Sequence, residues 1–185
     1  MMKIVVGISG ASGARYGIRF LEVCRSLDIE THLVLSAWGR RNIELETDYT
    51  VSRVSSLAYK SHEDKDLAAE ISSGSFRHDG MVVIPCSMKS VSAVANGFTE
   101  NLLHRAADVT LKERRKLILV PRETPLNVIH LENLLKLARA GAIILPPMPA
   151  FYNKPKNLDD IVNHLVGRVL DHLGVEHALV KRWGE

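Results

Sequence analysis

The chain has 185 residues, a length that predicts one domain. Hydrophobic residues make up 46% and charged residues 24%, which excludes intrinsic disorder and collagen-like repeats. No apolar run approaches the ~20 residues needed to cross a bilayer, so no membrane partner is expected. The formal net charge of +3 gives no indication of a nucleic-acid partner.

The cysteines and the N-terminus bear on the compartment. Cys24 and Cys86 have neither CxxC nor zinc-site spacing, so reduced thiols are expected. The segment Met1–Gly7 passes directly into a strand pattern, without the charged and apolar regions of a signal peptide. We therefore expect a cytoplasmic protein.

Short apolar runs alternate with amphipathic stretches along the chain. The runs are Lys3–Ile8, Glu30–Leu35, Met81–Ile84, Leu117–Val120 and Ala142–Leu145. Continuous apolar runs of this length are typical of strands that are covered on both faces. Five strands separated by helices predict a three-layer α/β fold of the flavodoxin or Rossmann type, with a doubly wound, mainly parallel sheet in a single domain.

Helix boundaries are visible at three places. Thr124 and Pro125 form a favoured start pair, Gly141 is suited to the end of that helix, and Asn157 opens the last helix. The stretch 48–79 has no clear period and is expected to be partly helical.

A glycine-rich loop, Gly7–Gly13, follows the first strand and precedes a helix. Such a loop brings backbone N–H groups and a helix N-terminus to a phosphate. Its GxxGxxG spacing matches neither the dinucleotide fingerprint nor the P-loop, so a plain turn is also compatible. The second strand ends at Ser36 rather than at an acid, which disfavours NAD.

Polar or aromatic residues also follow the later strands. Pro85–Ser90 resembles a second anion-binding turn or a capped helix start with Ser87 as N-cap. Arg122 and Glu123 follow the fourth strand, and their position is compatible both with a pair of functional residues and with an ion pair on the surface. Tyr152 follows the fifth strand, where it could belong to the hydrophobic core or form a wall of a ligand pocket.

Cations and histidines complete the set of candidates. Arg105 and Lys112 are seven residues apart and share a helix face, while Arg168 lies beside the apolar stripe of the last helix. The histidines show no HxxxH or HExxH pattern, so no metal site is expected. Two carboxylates, Glu46 and Glu123, are candidate acids or bases. Together these residues indicate a phosphorylated aromatic cofactor beside a second phosphorylated substrate.

The ordered motifs resemble those of the UbiX-type flavin prenyltransferases, a family that includes the small proteins of aromatic-acid decarboxylase systems. The resemblance covers nearly the whole chain. It rests on Gly7–Gly13, Leu45–Thr47, Ile71–Phe76, Pro85–Lys89, Arg105–Val109, Leu111–Arg115, Val120–Pro125, His130–Asn133, Pro149–Tyr152 and Arg182–Gly184.

The resemblance implies an activity. The family joins a dimethylallyl group from dimethylallyl phosphate to reduced FMN, at flavin N5 and then C6, without a metal. The product, prenylated FMN, serves a UbiD-type decarboxylase. The resemblance also implies a homo-oligomer, a dodecamer, with its sites at the interfaces between chains.

The resemblance further assigns roles to residues. The residues implied to hold FMN are Gly10, Ala11, Ser12, Ser36, Ser87, Met88, Lys89, Ser90 and Arg122. Those implied to hold the phosphate of the prenyl donor are Arg105, Lys112, Glu123, Tyr152 and Arg168. Tyr152 and Trp183 form an aromatic wall, and the implied catalytic residues are Ser12, Glu46, Lys112 and Glu123.

The chemistry is consistent with these residue types. Cations such as Lys112 stabilise the charge that develops on a departing phosphate. Glu123 in its protonated form would donate a proton to that phosphate, and Glu46 through Ser12, or the phosphate itself, would accept the proton lost from flavin C6.

Two other functions remain open. One is a flavoprotein decarboxylase of peptidyl-cysteine or phosphopantothenoylcysteine, although Pro147–Tyr152 does not match its PxMNxxMW segment. The other is a non-catalytic accessory protein that binds flavin for an aromatic-acid decarboxylase.

Overall fold

The computed structural model describes residues 1–180, 182 and 184. Over these residues the strands are β1 (Lys3–Ile8), β2 (Glu30–Leu35), β3 (Lys60–His62), β4 (Gly80–Cys86), β5 (Lys116–Pro121) and β6 (Ile143–Ile144). The helices are α1 (Ala14–Ser26), α2 (Ala37–Glu46), α3 (Val51–Ser55), α4 (Met88–Ala95), α5 (Leu102–Lys112), α6 (Val128–Arg139) and α7 (Leu158–Leu173), with a short 3₁₀ helix at Glu70–Ser72.

The strands form one sheet in the order β3-β2-β1-β4-β5-β6, and every neighbouring pair is parallel. From β1 the chain first adds strands on one side and then returns to add β4, β5 and β6 on the other. The strand order therefore reverses between β1 and β4. Ligands of such sheets bind outside the carboxyl ends of the strands at this switch point. The predicted fold class is confirmed.

Helices cover both faces of the sheet. Ile4, Val6 and Ile8 of β1 face a core that is shared with α1 and α7. Val5 faces the opposite core, which contains the apolar sides of α4, α5 and α6. Because neither face meets water, the strands are apolar at nearly every position rather than at alternate ones.

The structure corrects two details of the sequence-based prediction. The sheet has a sixth strand, β3, within the ambiguous stretch; it has only three residues, two of them exposed, so it carries no apolar run. Helix α6 begins at Val128 rather than at Thr124, because Asn127 caps it: its side chain accepts from the backbone of His130, and His130 bonds back to the backbone of Asn127. The predicted glycine end, Gly141, has a φ of +100°.

The structure also shows the state of the cysteines and the lengths of the helices. Cys24 and Cys86 are both buried and free. In the part of the chain that the structure describes, no helix is both long and apolar enough to span a bilayer.

Candidate functional site

The side chain of Ser9 connects the ends of the two strands at the switch point. Ser9, which follows β1, donates through its hydroxyl to the carbonyl oxygen of Pro85 at 3.0 Å. The same hydroxyl accepts from the backbone N–H of Ser87 at 2.7 Å. The glycine loop and the Pro85–Ser90 turn are therefore held side by side, as the parallel sheet predicts.

A cavity of about 210 Å³ opens beside these turns. It is lined by Gly10, Ser36, Ala37, Trp38, Asp64, Ser87, Lys89, Ser90, Asn101 and His104. Five of the residues predicted to bind the cofactor are thus brought together from the ends of three strands. Of the other predicted binders, Met88 packs against the core below α4, and Ala11, Ser12 and Arg122 do not line this cavity.

Two helix N-termini meet at the cavity. Ser36 caps α2 by accepting from the backbone of Gly39 at 3.0 Å. Ser87 caps α4 by accepting from the backbone of Ser90 at 3.2 Å. The remaining N–H groups and the positive end of each helix dipole favour an anion here, and Lys89 adds a full positive charge.

A buried histidine braces the hydroxyls of the second turn. His104 Nε2 lies 3.1 Å from Ser90 Oγ, which in turn accepts from Ser87 Oγ at 3.2 Å. Burial, together with the nearby charge of Lys89, lowers the pKa of His104 to about 4. The ring is therefore neutral near pH 7, and the serine–histidine network adds no charge to the cavity.

Asp64 is a second cavity residue that the sequence motifs did not indicate. Its carboxylate accepts from the backbone of Leu103, and its carbonyl accepts from the backbone of Leu102. Burial raises the pKa of Asp64. Neither Asp64 nor His104 belongs to a recognisable motif; the only local signal is Asn101, which caps α5.

Trp38 forms one wall of the cavity and was likewise absent from the sequence-based candidates. It is 68% exposed in a single chain, which is unusual for so large an aromatic side chain. A Cβ at Gly10 would lie 2.5 Å from the Cβ of Trp38, so only glycine allows the loop to approach it this closely. The exposed indole offers a flat apolar surface to an aromatic ligand.

Glu46 lies beside the glycine loop, which also carries Ser12. Its Oε2 accepts from the backbone of Gly13 at 2.8 Å and from that of Ala14 at 3.0 Å. The carboxylate therefore caps α1, a position at which the helix dipole stabilises negative charge. Two of the N–H groups that the loop was expected to offer to a phosphate are engaged by Glu46 instead.

A second cavity, of about 430 Å³, adjoins the first. The two share Lys89, Asn101 and His104 as lining residues. The small residues Ser92 and Ala93 of α4 form one side of the second cavity. Ligand pockets generally measure ~300–1,000 Å³, so the two volumes together suit a molecule of cofactor size. Two helix N-termini, hydroxyls and an aromatic wall fit a phosphorylated aromatic cofactor such as FMN.

The charged pair after β5 lies near the same edge of the sheet. The backbone N–H of Arg122 donates to the carbonyl of Cys86 at 3.2 Å. Burial raises the pKa of Tyr16 in α1, and the positive charge of Arg122 opposes this shift. Glu123 is exposed and accepts from the backbone of Thr124 at 3.1 Å.

The cations predicted to hold the donor phosphate are not brought together within one chain. Arg105 donates to the carbonyl of Ser72 at 3.1 Å and pairs with Asp108. Lys112 pairs with Glu113 at the end of α5. Helix α5 begins beside the cavity and ends near the start of β5, so Lys112 lies about 15 Å further along the helix than its first turn.

Arg168 lies on the other side of the sheet, in α7, where it pairs with Asp171 at 3.0 Å. Tyr152 is on this side too, with its hydroxyl 3.1 Å from His164 Nε2. Since α5 packs on one face and α7 on the opposite face, the sheet separates Lys112 from Arg168. The predicted aromatic partner, Trp183, lies outside the described residues.

Comparison with known proteins identifies the family. The family model described as Flavoprotein matches residues 1–170. A protein of Escherichia coli O157:H7 named a probable UbiX-like flavin prenyltransferase is 56% identical over 183 residues, which cover 98% of this chain and 93% of that protein. The chain belongs to the UbiX-like flavin prenyltransferase family.

Solved structures of this family superpose closely on the chain. A dodecameric FMN-dependent UbiX-like decarboxylase from Escherichia coli O157:H7 matches with a TM-score of 0.98 and 55% identity, covering all of both chains. AnUbiX in complex with FMN and dimethylallyl pyrophosphate matches with a TM-score of 0.98 and 50% identity, covering all of this chain and 98% of that one.

Two further comparisons concern the alternative functions and the compartment. The peptidyl-cysteine decarboxylase EpiD matches with a TM-score of 0.68 but only 17% identity, so it shares the fold alone. A flavin prenyltransferase of Saccharomyces cerevisiae, 55% identical over 98% of this chain and 75% of its own length, is named as mitochondrial. The compartment therefore differs among members of the UbiX-like family.

Proposed function

We propose that this chain transfers the dimethylallyl group of dimethylallyl phosphate to reduced FMN, at N5 and then C6, and so makes prenylated FMN. The observation that carries the proposal is the cavity at the β1–β4 switch point, in a chain of the UbiX-like family. The reduced flavin supplies the nucleophilic atoms, and the chain supplies binding, charge stabilisation and proton transfer.

The cavity residues would hold FMN. Ser36, Ser87 and Ser90 present hydroxyls, and the helix N-termini behind them favour the phosphate. Trp38 offers a stacking surface for the ring system. His104 keeps the second turn rigid without adding a charge, since its ring is neutral. Gly10, Ala11, Ser12, Met88, Lys89 and Arg122 complete the proposed FMN site.

The phosphate pocket of the prenyl donor would be completed by neighbouring chains. Arg105 and Lys112 lie on one face of the sheet and Arg168 on the other, so one chain cannot direct them at a single phosphate. Removing one preorganised donor from a developing oxyanion costs roughly 10²–10³ in rate. We assign this role to Lys112 and Arg168, with Arg105 nearby and Tyr152 donating a hydrogen bond.

Two carboxylates would move the protons. Glu123 would donate one to the departing phosphate. Glu46 lies against the loop that carries Ser12 and would accept, through that hydroxyl, the proton lost from flavin C6. Tyr152 and Trp183 would enclose the allyl group, because aromatic faces stabilise an electron-poor carbon.

An exposed apolar helix face supports the assembly of several chains. Val128, Ile129, Leu131 and Leu135 of α6 are 50–67% exposed, and Leu137 is the one α6 residue that is fully buried in the single chain. Such a face is typical of an interface between chains. We propose a homo-oligomer, a dodecamer like the one named for the Escherichia coli relative.

The product would pass to a UbiD-type decarboxylase. We propose a cytoplasmic location for this step. Staining of cell fractions for the protein would test the location independently of the activity.

The activity is tested by anaerobic incubation of the protein with reduced FMN and dimethylallyl phosphate, followed by mass analysis of the flavin. We expect a flavin that is heavier by one prenyl unit. A parallel reaction with the diphosphate tests the choice of donor. Lys112→Ala and Glu123→Gln should lose turnover and keep FMN. Bound but unmodified flavin, in a reaction where a proven relative prenylates it, would favour the accessory protein instead.

A further inference from the structure

A cluster of imidazole and carboxylate groups lies at the far edge of the sheet, where β2 pairs with β3. His32 of β2 and His62 of β3 are both buried, at 2% and 6% exposure, and their rings stack with centroids 5.3 Å apart. His32 Nδ1 lies 3.0 Å from His62 Nε2 and 3.5 Å from Oε1 of Glu70 in the 3₁₀ helix. One ligand atom from each of the three residues lies within 4.8 Å of the others.

We propose that His32, His62 and Glu70 bind a divalent transition-metal cation such as Zn²⁺. Two imidazole nitrogens and a carboxylate oxygen are ligands that Zn²⁺ prefers. With metal–ligand bonds of about 2.0–2.1 Å in tetrahedral geometry, ligand atoms lie about 3.3 Å apart. The distances of 3.0 and 3.5 Å from His32 Nδ1 lie on either side of that value. The ligand atoms of His62 and Glu70 lie within 4.8 Å of each other, so the exposed Glu70 side chain would turn towards the cation.

A carboxylate outside the cluster orients the central histidine. Glu30 Oε1 lies 2.8 Å from His32 Nε2, and Lys3 holds the same oxygen at 2.8 Å. An acceptor at Nε2 keeps the ring proton there and leaves the lone pair of Nδ1 facing His62 and Glu70. Histidines that bind metals generally donate their other N–H to a carboxylate or carbonyl in this manner.

The groups around the cluster permit binding. Because Nδ1 of His32 is the acceptor, His62 donates the hydrogen bond between the two rings through its Nε2–H. When a cation binds at Nε2 of His62, the proton of that atom moves to Nδ1 of the His62 ring. Lys60 contacts both oxygens of Glu70 at 3.0 Å and is half-exposed, so it can keep Oε2 while Oε1 turns to the cation. The ring of Phe76 covers His32 edge-on at 4.9 Å and limits access of water.

The bound cation would act as a structural clamp. It would join β2, β3 and the 3₁₀ helix, which otherwise meet at the thin edge of the sheet. The 3₁₀ helix carries Ser72, whose carbonyl accepts from Arg105. The clamp would therefore stabilise the segment that holds this guanidinium, at a distance from the cavity between β1 and β4.

The test uses the full-length, untagged, metal-stripped protein, titrated with Zn²⁺ by calorimetry and with Co²⁺ by visible absorption. We expect one equivalent per chain, a Kd in the micromolar range or below, d–d bands of nitrogen-ligated Co²⁺, and a higher unfolding temperature with Zn²⁺. None of these measurements involves flavin, so they are independent of the proposed enzymatic function.

Variants then assign the ligands. Glu70→Gln and His62→Gln should each weaken Zn²⁺ binding at least tenfold, whereas His172→Gln, a half-buried histidine of α7, should bind as the unchanged protein does. Glu70 is exposed, so its variant is expected to fold, and FMN binding checks this. Lys60→Gln should bind Zn²⁺ more tightly, because a competing cation is removed. The proposal would be overturned if the unchanged protein did not bind one equivalent of Zn²⁺, or if the Glu70 and His62 variants bound Zn²⁺ as tightly as the unchanged protein does.

Discussion

The division of the phosphate-binding cations between two faces of the sheet leads to a prediction about mixed oligomers. Lys112→Ala and Arg168→Ala, each pure, should lose roughly 10²–10³ in turnover, since each lacks one donor to the departing phosphate. Within a chain, the sheet and about 15 Å of α5 separate Lys112 from the residues that would complete its pocket. Each pocket should therefore take the two cations from different chains.

The expected magnitude follows from random assembly. When equal amounts of the two variants are unfolded and reassembled together, a pocket receives an intact Lys112 in half of the cases and an intact Arg168 in half. About a quarter of the pockets in a symmetric oligomer then contain both. Turnover should rise from below about 1% of the unchanged protein to about 25% of it.

The assay is anaerobic formation of prenylated FMN, followed by the mass of the flavin and normalised to protein. Each pure variant, carried through the same unfolding and reassembly, serves as the control and should remain at its own low rate. If both cations came from one chain, no pocket in the mixture would contain both. A mixture no more active than the mean of the two variants would thus refute the inference from the fold.

Three further predictions concern stability and assembly. The pKa of His104 is lowered from 6.5 to about 4 in the folded chain, so between these pH values the unfolded chain binds a proton that the folded chain does not. The free energy of unfolding should therefore fall by up to about 3 kcal/mol as the pH drops from 6.5 to 4. Urea titrations followed by circular dichroism measure this dependence, and His104→Gln should flatten it. If both proteins show the same slope, His104 is not the cause. Glu46→Gln should lower the free energy of unfolding by about 0.3–1 kcal/mol, because it weakens the cap of α1, and it should also lower turnover. Thermal unfolding measures the first loss and the prenylation assay the second. Undiminished turnover would show that Glu46 takes no part in the mechanism. Ile129→Lys places a charge on the apolar face of α6 and should shift the mass measured by light scattering to smaller oligomers; an unchanged mass would exclude that face as an interface.

Local chemistry made much of the molecule predictable from its sequence. The apolar runs predicted five of the six strands, because a strand covered on both faces must be apolar along its whole length. Ser87 and Asn157 were recognised as helix caps, since a cap depends on residues within a single turn. The ordered motifs predicted the family, and the family model and relatives confirm it.

The tertiary structure decided which side chains share a site. Trp38, Asp64 and His104 line the cavity although they are distant in sequence and belong to no motif, because parallel strands bring their ends to one edge only after folding. The contact between His32 and His62 forms across two neighbouring strands for the same reason, and the spacing of the two residues along the chain does not predict it. The sequence shows which residue types are available for a phosphate pocket, but the packing of the helices determines which face of the sheet each residue occupies. Here helix packing places Lys112 and Arg168 on opposite faces.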